Sequence, residues 1–161
     1  MLLKIPEHLV PLAILVLGGA VLVISTVWHG FGLDHIVTGY KRRVARLRER
    51  RRDPRLAVFV FAGSIFFMLM LHISEIWLWG LVLYLGGLVH DLHQAMYFAA
   101  NTYTTLGMGS MVLPHVWHEL SPIISIAGLF TFALTTGEMF NIVGEHHELL
   151  AELAKHRQPK G

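Results

Sequence analysis

The segment from Thr102 to Ser110 contains the residues of this sequence that are best suited to do chemistry. It reads Thr-Tyr-Thr-Thr-Leu-Gly-Met-Gly-Ser, so hydroxyl side chains are followed by glycines at alternate positions. Glycine adopts a positive φ without steric penalty, and alternating backbone twist is what turns successive carbonyl oxygens toward one side. Rings of such oxygens can replace the hydration shell of a cation. The segment therefore predicts a cation-coordinating backbone loop.

A short helix is expected immediately before this loop. Residues 91–101 read Asp-Leu-His-Gln-Ala-Met-Tyr-Phe-Ala-Ala-Asn, and Asp91 is a suitable N-cap. This helix is too short to cross a bilayer, which requires about 20 residues. Non-helical backbone at membrane depth is tolerated only where it is buried in protein or lines water. A short helix followed by a glycine-containing strand is therefore typical of a re-entrant segment.

Three apolar spans surround this segment and predict an integral membrane protein. Hydrophobic residues make up 54% of the chain and charged residues 15%, against about 25% charged in soluble domains. The crossings are predicted at residues 9–28, 56–79 and 122–143. His72 and Glu75 are then expected near the outer boundary, where ionisable groups cost little.

The basic residues set the expected orientation. Of the 13 Lys and Arg residues, nine lie between Lys41 and Arg55 and three in the C-terminal tail. The positive-inside rule puts both regions in the cytoplasm and the N-terminus outside the plasma membrane. Tyr40, Val44 and Leu47 recur at helical spacing among the arginines, which favours an interfacial helix on anionic lipid over a nucleic-acid-binding arm.

The motif Tyr97-Phe98 … Thr104-Thr105-Leu106-Gly107-Met108-Gly109 resembles the pore helix and selectivity filter of the potassium-channel pore family, over roughly residues 76–143. The resemblance implies an all-α homotetramer in which each chain contributes one pore loop. It implies that a monovalent cation, K⁺ first, binds at the filter residues Thr105, Leu106, Gly107, Met108 and Gly109. The residues implied to support the filter are Asn101, Tyr103, Thr104 and Ser110.

Three departures from the family pattern bear on selectivity. Met108 stands where the family has a tyrosine that braces the filter, Ser110 where it has an acidic residue, and Leu106 where it has a valine. A looser filter is expected to select K⁺ less sharply. A non-selective or sodium-permeable channel and a non-conducting scaffold or regulatory subunit with a degenerate pore remain the alternatives.

The last span carries small and polar residues along one helical stripe. Its members are Ser121, Ser125, Gly128, Thr131, Thr135 and Glu138. A lone carboxylate in an apolar span usually faces a bundle interior or water. This favours a pore-lining role for Ser125, Gly128, Thr131, Thr135 and Glu138, whereas helix packing is the alternative for the small residues.

The sequence contains 11 histidines and no cysteine, which limits the other kinds of metal or catalytic site that it can form. Four histidines flank the pore helix and the loop: His90, His93, His115 and His118. One hypothesis is that they bind a metal ion or protons at the outer mouth, and the other is that they are solvated loop residues. Because only His72 lies inside a predicted crossing, a bis-histidine haem is not expected. No resident cofactor and no enzymatic constellation is predicted.

Four segments are expected along the chain. They are an N-terminal transmembrane helix (1–28), a basic cytoplasmic loop or interfacial helix (29–55), a pore module (56–143) and a cytoplasmic C-terminal helix or tail (144–161). Within the tail, the acidic and histidine residues from Glu145 to His156 are expected to form a solvated helix face or a contact between subunits.

Overall fold

The computed structural model describes residues 10–50, 54–109 and 111–157, and these residues form helices and no strands. Helix α1 runs over Val10–Arg50, α2 over Pro54–Leu85, α3 over Leu92–Tyr103 and α4 over Leu120–Arg157, with a 3₁₀ turn at His115–Trp117 before α4. The all-α class predicted from the sequence is confirmed.

Three of these helices, α1, α2 and α4, are long and apolar enough to cross a membrane. At 1.5 Å per residue, the 41 residues of α1 span about 61 Å, twice the thickness of a hydrocarbon core. Many large apolar side chains on these helices are exposed, among them Leu15, Phe31, Phe59 and Phe140. Such surfaces are unfavourable in water and suit a lipid environment.

The helices continue past the predicted segment boundaries. The predicted boundary at residue 29 does not coincide with a helix end, because α1 continues to Arg50, and its basic residues form the last turns of the same helix. The polar tail from Gly144 likewise extends α4 to Arg157. Residues 51–53, which carry two of the arginines, lie outside the described residues.

The chain divides into two compact units. The first comprises the described part of residues 1–29 together with His72–Phe132, and the second comprises Gly30–Leu71 and the described part of residues 133–161. The core of the first unit is built around α3, which buries Ala95, Phe98 and Tyr103 among apolar side chains of α1, α2 and α4. This unit contains the predicted pore helix and loop.

In the second unit, the apolar stripe of the basic segment faces protein. Tyr40, Val44 and Leu47 are buried, and the Tyr40 hydroxyl donates to the carbonyl of Ile142 at 3.4 Å. The expectation that this stripe rests on lipid was therefore wrong: its apolar side chains pack within the unit instead.

The acidic tail residues pair with the basic residues of the second unit. The Arg48 Nε donates to Glu152 at 2.9 Å, and Lys41 lies 3.9 Å from Glu145. His146 is buried and stacks on Phe61 with ring centroids 4.3 Å apart. Part of the tail predicted to be a solvated face is thus packed within the protein.

Candidate functional site

Helix α3 begins as the sequence predicts. Asp91 has extended backbone geometry, and its carboxylate accepts a hydrogen bond from the backbone N–H of Gln94 at 2.8 Å. The helix ends at Tyr103, where the backbone N–H of Thr104 donates to the carbonyl of Ala100 at 3.0 Å. Its 12 residues are too few to span a bilayer, and an irregular loop follows it.

The loop after α3 is irregular and exposed. Residues 104–109 are all exposed, and Gly107 has the expected positive φ of 66°. The second positive φ in the loop is at Thr105, with a value of 57°, and Gly109 does not have one. The expectation for Gly109 was therefore wrong, because the backbone reverses its twist at Thr105, directly after the helix. Ser110 lies outside the described residues.

Backbone hydrogen bonds tie this loop to the end of α3. The carbonyl of Asn101 accepts from the backbone N–H of Leu106 at 2.9 Å and of Gly107 at 3.4 Å. The Thr104 hydroxyl donates to the carbonyl of Ala100 at 2.7 Å. Asn101 and Thr104 thus lie at the base of the loop.

Tyr97 braces the loop from the side. Its hydroxyl donates to the carbonyl oxygen of Met108 at 2.9 Å, while its own carbonyl accepts from the Asn101 amide at 2.9 Å. A phenol therefore supports position 108 even though position 108 itself is a methionine. The Met108 carbonyl, expected among the ion ligands, is engaged in this hydrogen bond within the single chain.

Tyr103, which was predicted to support the filter, is fully buried, and the partners of its hydroxyl lie outside the loop. Its hydroxyl donates to the Glu75 carboxylate and lies 2.7 Å from the Thr131 hydroxyl and 3.0 Å from Nδ1 of His72. Burial raises the pKa of the Tyr103 phenol, and its hydrogen bond to Glu75 raises that pKa further. The phenol consequently remains a hydrogen-bond donor.

Three of the predicted pore-lining residues are packed inside the first unit. The Ser125 hydroxyl donates to the carbonyl of Thr102 at 2.9 Å, and Thr131 is fully buried beside Tyr103. A Cβ at Gly128 would overlap the carbonyl oxygen of Tyr103. In this chain the stripe therefore seats α4 against α3, which is the packing alternative.

The other two predicted pore-lining residues belong to the second unit. Thr135 is buried, whereas Glu138 is half-buried and accepts a hydrogen bond from the Asn141 amide at 3.3 Å. Of the predicted pore-lining set, Ser125 and Glu138 are the two residues that are not fully buried.

A buried polar cluster that was not expected from the sequence lies in the first unit. His29 of α1 and Glu75 of α2 are fully buried, and Nδ1 of His29 is 3.2 Å from a carboxylate oxygen of Glu75. His72 precedes Glu75 by one helical turn, with Nδ1 3.9 Å from the other carboxylate oxygen. His72 and Glu75 therefore do not lie at an exposed outer boundary.

The sequence contained a partial signal for this cluster. A histidine and a glutamate three residues apart in an apolar stretch of helix are costly unless they meet partners. The third member, His29, was missed because it lies one residue beyond the predicted end of the first crossing. Helix α1 continues through it, so two histidines face each other with ring centroids 4.9 Å apart.

The four histidines of the predicted outer-mouth site are all exposed. The rings of His115 and His118 are 5.2 Å apart, in the segment leading into α4. Among the described residues, the group of three ligand side chains close enough to share a metal ion is His29, His72 and Glu75. The outer histidines do not form such a group.

No protein-family model, no curated protein and no solved structure matches this chain.

Proposed function

We propose that the protein is a homotetrameric channel for monovalent cations, K⁺ foremost, in which residues 105–109 form the selectivity filter. The observation that carries the proposal is the N-capped helix α3 followed by an exposed loop with positive φ at Thr105 and Gly107. This pair of elements stands between two helices that are long and apolar enough to cross a membrane. Irregular backbone in that position has to line water or be covered by protein.

The exposure of the loop supports a tetramer. Leu106 and Met108 are 61% and 66% exposed in the single chain, although both are apolar. One loop supplies only one quarter of a ring of carbonyl ligands, so ion coordination requires four copies around an axis. Assembly would cover the loop with equivalent loops and leave its carbonyls facing the ion path.

The proposed ligands are backbone oxygens, with the Thr105 hydroxyl beside them. The hydrogen bond from Tyr97 to the Met108 carbonyl holds the outer part of the loop against α3. In a conducting tetramer one lone pair of this carbonyl oxygen would accept the hydrogen bond from Tyr97, and the other would be available to the ion. We therefore place the strongest ion sites at Thr105, Leu106 and Gly107, with Met108 contributing less.

The proposed location is the plasma membrane, with the basic end of α1 and the end of α4 on the cytoplasmic side. The paired charges Arg48 and Glu152 in the second unit support an aqueous environment for those helix ends. Arginines that remain exposed there, such as Arg42 and Arg46, are available to anionic lipid headgroups.

The test is conduction by the purified chain in planar bilayers with opposed K⁺ and Na⁺ gradients. Cation current that reverses near the K⁺ potential is expected for the wild type. Gly107→Ala should abolish it, because a Cβ strains a residue held at a φ of 66°. Gly63→Ala, where a Cβ meets nothing within 4 Å, is the matched control and should conduct normally.

Two results would reject the channel. The first is a purified, correctly assembled wild type that carries no cation current. The second is equal conduction by Gly107→Ala and Gly63→Ala, which would remove the loop from the ion path. A monomer or dimer in detergent and in lipid nanodiscs would favour the scaffold alternative.

A further inference from the structure

We propose that His29, His72 and Glu75 form a binding site for a divalent transition-metal ion, of which Zn²⁺ is the reference, buried in the first unit. The site is separate from the proposed ion path, and it does not depend on conduction. One imidazole nitrogen from each histidine and one or both oxygens of the carboxylate would bind the metal. The ion would join α1 to α2 at the level where α3 ends.

The geometry of the three side chains supports this site. One ligand atom from each residue lies within 4.8 Å of the other two, and all three residues are buried. Ligand atoms around a tetrahedral ion with bonds near 2.1 Å are separated by about 3.3 Å. The Glu75 oxygens lie 3.2 Å from His29 Nδ1 and 3.9 Å from His72 Nδ1, so small side-chain rotations reach that spacing.

The donor set determines the class of ion. Two imidazoles and one carboxylate suit Zn²⁺ and neighbouring divalent first-row metals, whereas K⁺, Na⁺ and Mg²⁺ prefer oxygen ligands alone. A permeating alkali cation is therefore not the expected occupant. With no cysteine in the chain, no thiolate competes for the metal.

Burial gives the cluster a reason to bind a cation. A carboxylate in an apolar interior is unfavourable unless it is paired. Hydrogen bonds do not satisfy every polar atom of the cluster. Nε2 of His72 is buried and has no hydrogen-bond partner among the described residues. A divalent ion would offset the carboxylate charge and give both rings a fixed orientation.

The side chains that would bind the metal already have contacts that fix their orientation. The Tyr103 hydroxyl donates to Glu75, the Thr131 hydroxyl lies 2.7 Å from that phenol oxygen, and His72 stacks on Phe132 with centroids 4.2 Å apart. Metal-binding side chains are commonly oriented by such contacts. Because Tyr103 donates to Glu75, the metal would also help to fix the position of Tyr103, which directly precedes the loop.

The experiment uses the full chain purified in detergent without chelator. Elemental analysis should find one equivalent of metal per chain, removable by chelator and restored by Zn²⁺. Replacement by Co²⁺ should give the visible absorption bands of a nitrogen- and oxygen-ligated ion. Zn²⁺ should raise the thermal unfolding midpoint of the stripped protein.

Matched pairs of variants locate the ion. Glu75→Gln and His72→Gln should lose Zn²⁺ binding, while Glu119→Gln and His118→Gln, which change the same residue types on the exposed surface, should retain it. Tyr103→Phe should weaken binding about 10- to 100-fold, as expected for loss of an outer partner. The Co²⁺ spectrum of the wild type is informative even where a variant is poorly folded.

The proposal is overturned if the wild type contains no metal and binds neither Zn²⁺ nor Co²⁺ saturably. It is also overturned if His118→Gln loses the metal and Glu75→Gln keeps it, since the ion would then lie on the exposed histidines. A channel that conducts without bound metal would leave the proposed function intact while rejecting this site. Stoichiometric metal binding by a non-conducting protein would do the reverse.

Discussion

The hydroxyl of Tyr103 donates a hydrogen bond to the carboxylate of Glu75, and so joins the last residue of α3 to the buried polar cluster of α2. Tyr103 is fully buried, and its carbonyl lies against Gly128 of α4. One residue therefore sets the position of α3 relative to two longer helices of the first unit. Because the exposed loop starts at the next residue, a displacement of Tyr103 should also displace the loop.

Tyr103→Phe is expected to destabilise the protein by about 1.5–3 kcal/mol, the usual contribution of a hydrogen bond to a charged group. The change removes only the hydroxyl, so packing of the ring is retained. Tyr84→Phe serves as the control because Tyr84 is 39% exposed, and its effect should stay within about 0.5 kcal/mol. Chemical unfolding in detergent measures both; equal midpoints would mean that the buried hydroxyl adds no stability.

Gly128→Ala should destabilise the first unit, because a Cβ at this position would overlap the carbonyl oxygen of Tyr103. Overpacking of this kind costs about 1–3 kcal/mol. Gly137→Ala lies in the same helix with nothing within 4 Å of its Cβ, so it should be neutral or stabilise by up to about 1 kcal/mol. Thermal unfolding of the two variants side by side tests the packing role, and a Gly128→Ala protein as stable as the wild type contradicts it.

The helices were predictable because their signals are local. Long apolar runs predicted the three helices that are long and apolar enough to cross a membrane, and Asp91 before an apolar stretch predicted the start of α3. The lengths of α1 and α4 were not predictable in this way, since polar residues from Lys41 or Gly144 onward look alike in a loop and in an exposed helix. Contacts between distant segments, such as the hydrogen bond of Tyr40 to Ile142 and the pairing of Arg48 with Glu152, place those turns in a packed unit.

The candidate sites were less predictable the farther apart their residues lie in the sequence. Asn101, Thr104 and Gly107 were assigned to one loop because they are neighbours in the chain, whereas the cluster joins residues 29, 72 and 75 through tertiary packing. The small and polar stripe of α4 was ambiguous for a physical reason, since small residues permit both a wide pore and close helix contact. The contact of Gly128 with Tyr103 resolves that ambiguity for the part of α4 in the first unit.

Tyr97→Phe should lower the K⁺/Na⁺ permeability ratio of the proposed channel. The variant removes the hydrogen bond that holds the Met108 carbonyl, and a less constrained loop can contract around the smaller ion. A net hydrogen bond contributes about 0.5–1.5 kcal/mol, which corresponds to roughly a 2- to 10-fold change in the ratio. Bi-ionic reversal potentials measure it, with Tyr84→Phe as the control. An unchanged ratio in Tyr97→Phe would show that this brace does not set selectivity.

The orientation of the chain can be tested with single cysteines, because the natural sequence has none. His118→Cys and Lys155→Cys both replace exposed side chains, one in the segment between α3 and α4 and one near the end of α4. The distribution of Lys and Arg predicts that the end of α4 is cytoplasmic and that the segment between α3 and α4 is outside. A membrane-impermeant maleimide applied to intact cells should therefore label His118→Cys, and should label Lys155→Cys only after permeabilisation. Labelling of Lys155→Cys alone in intact cells would reverse the orientation, and labelling of both would exclude an odd number of crossings between them.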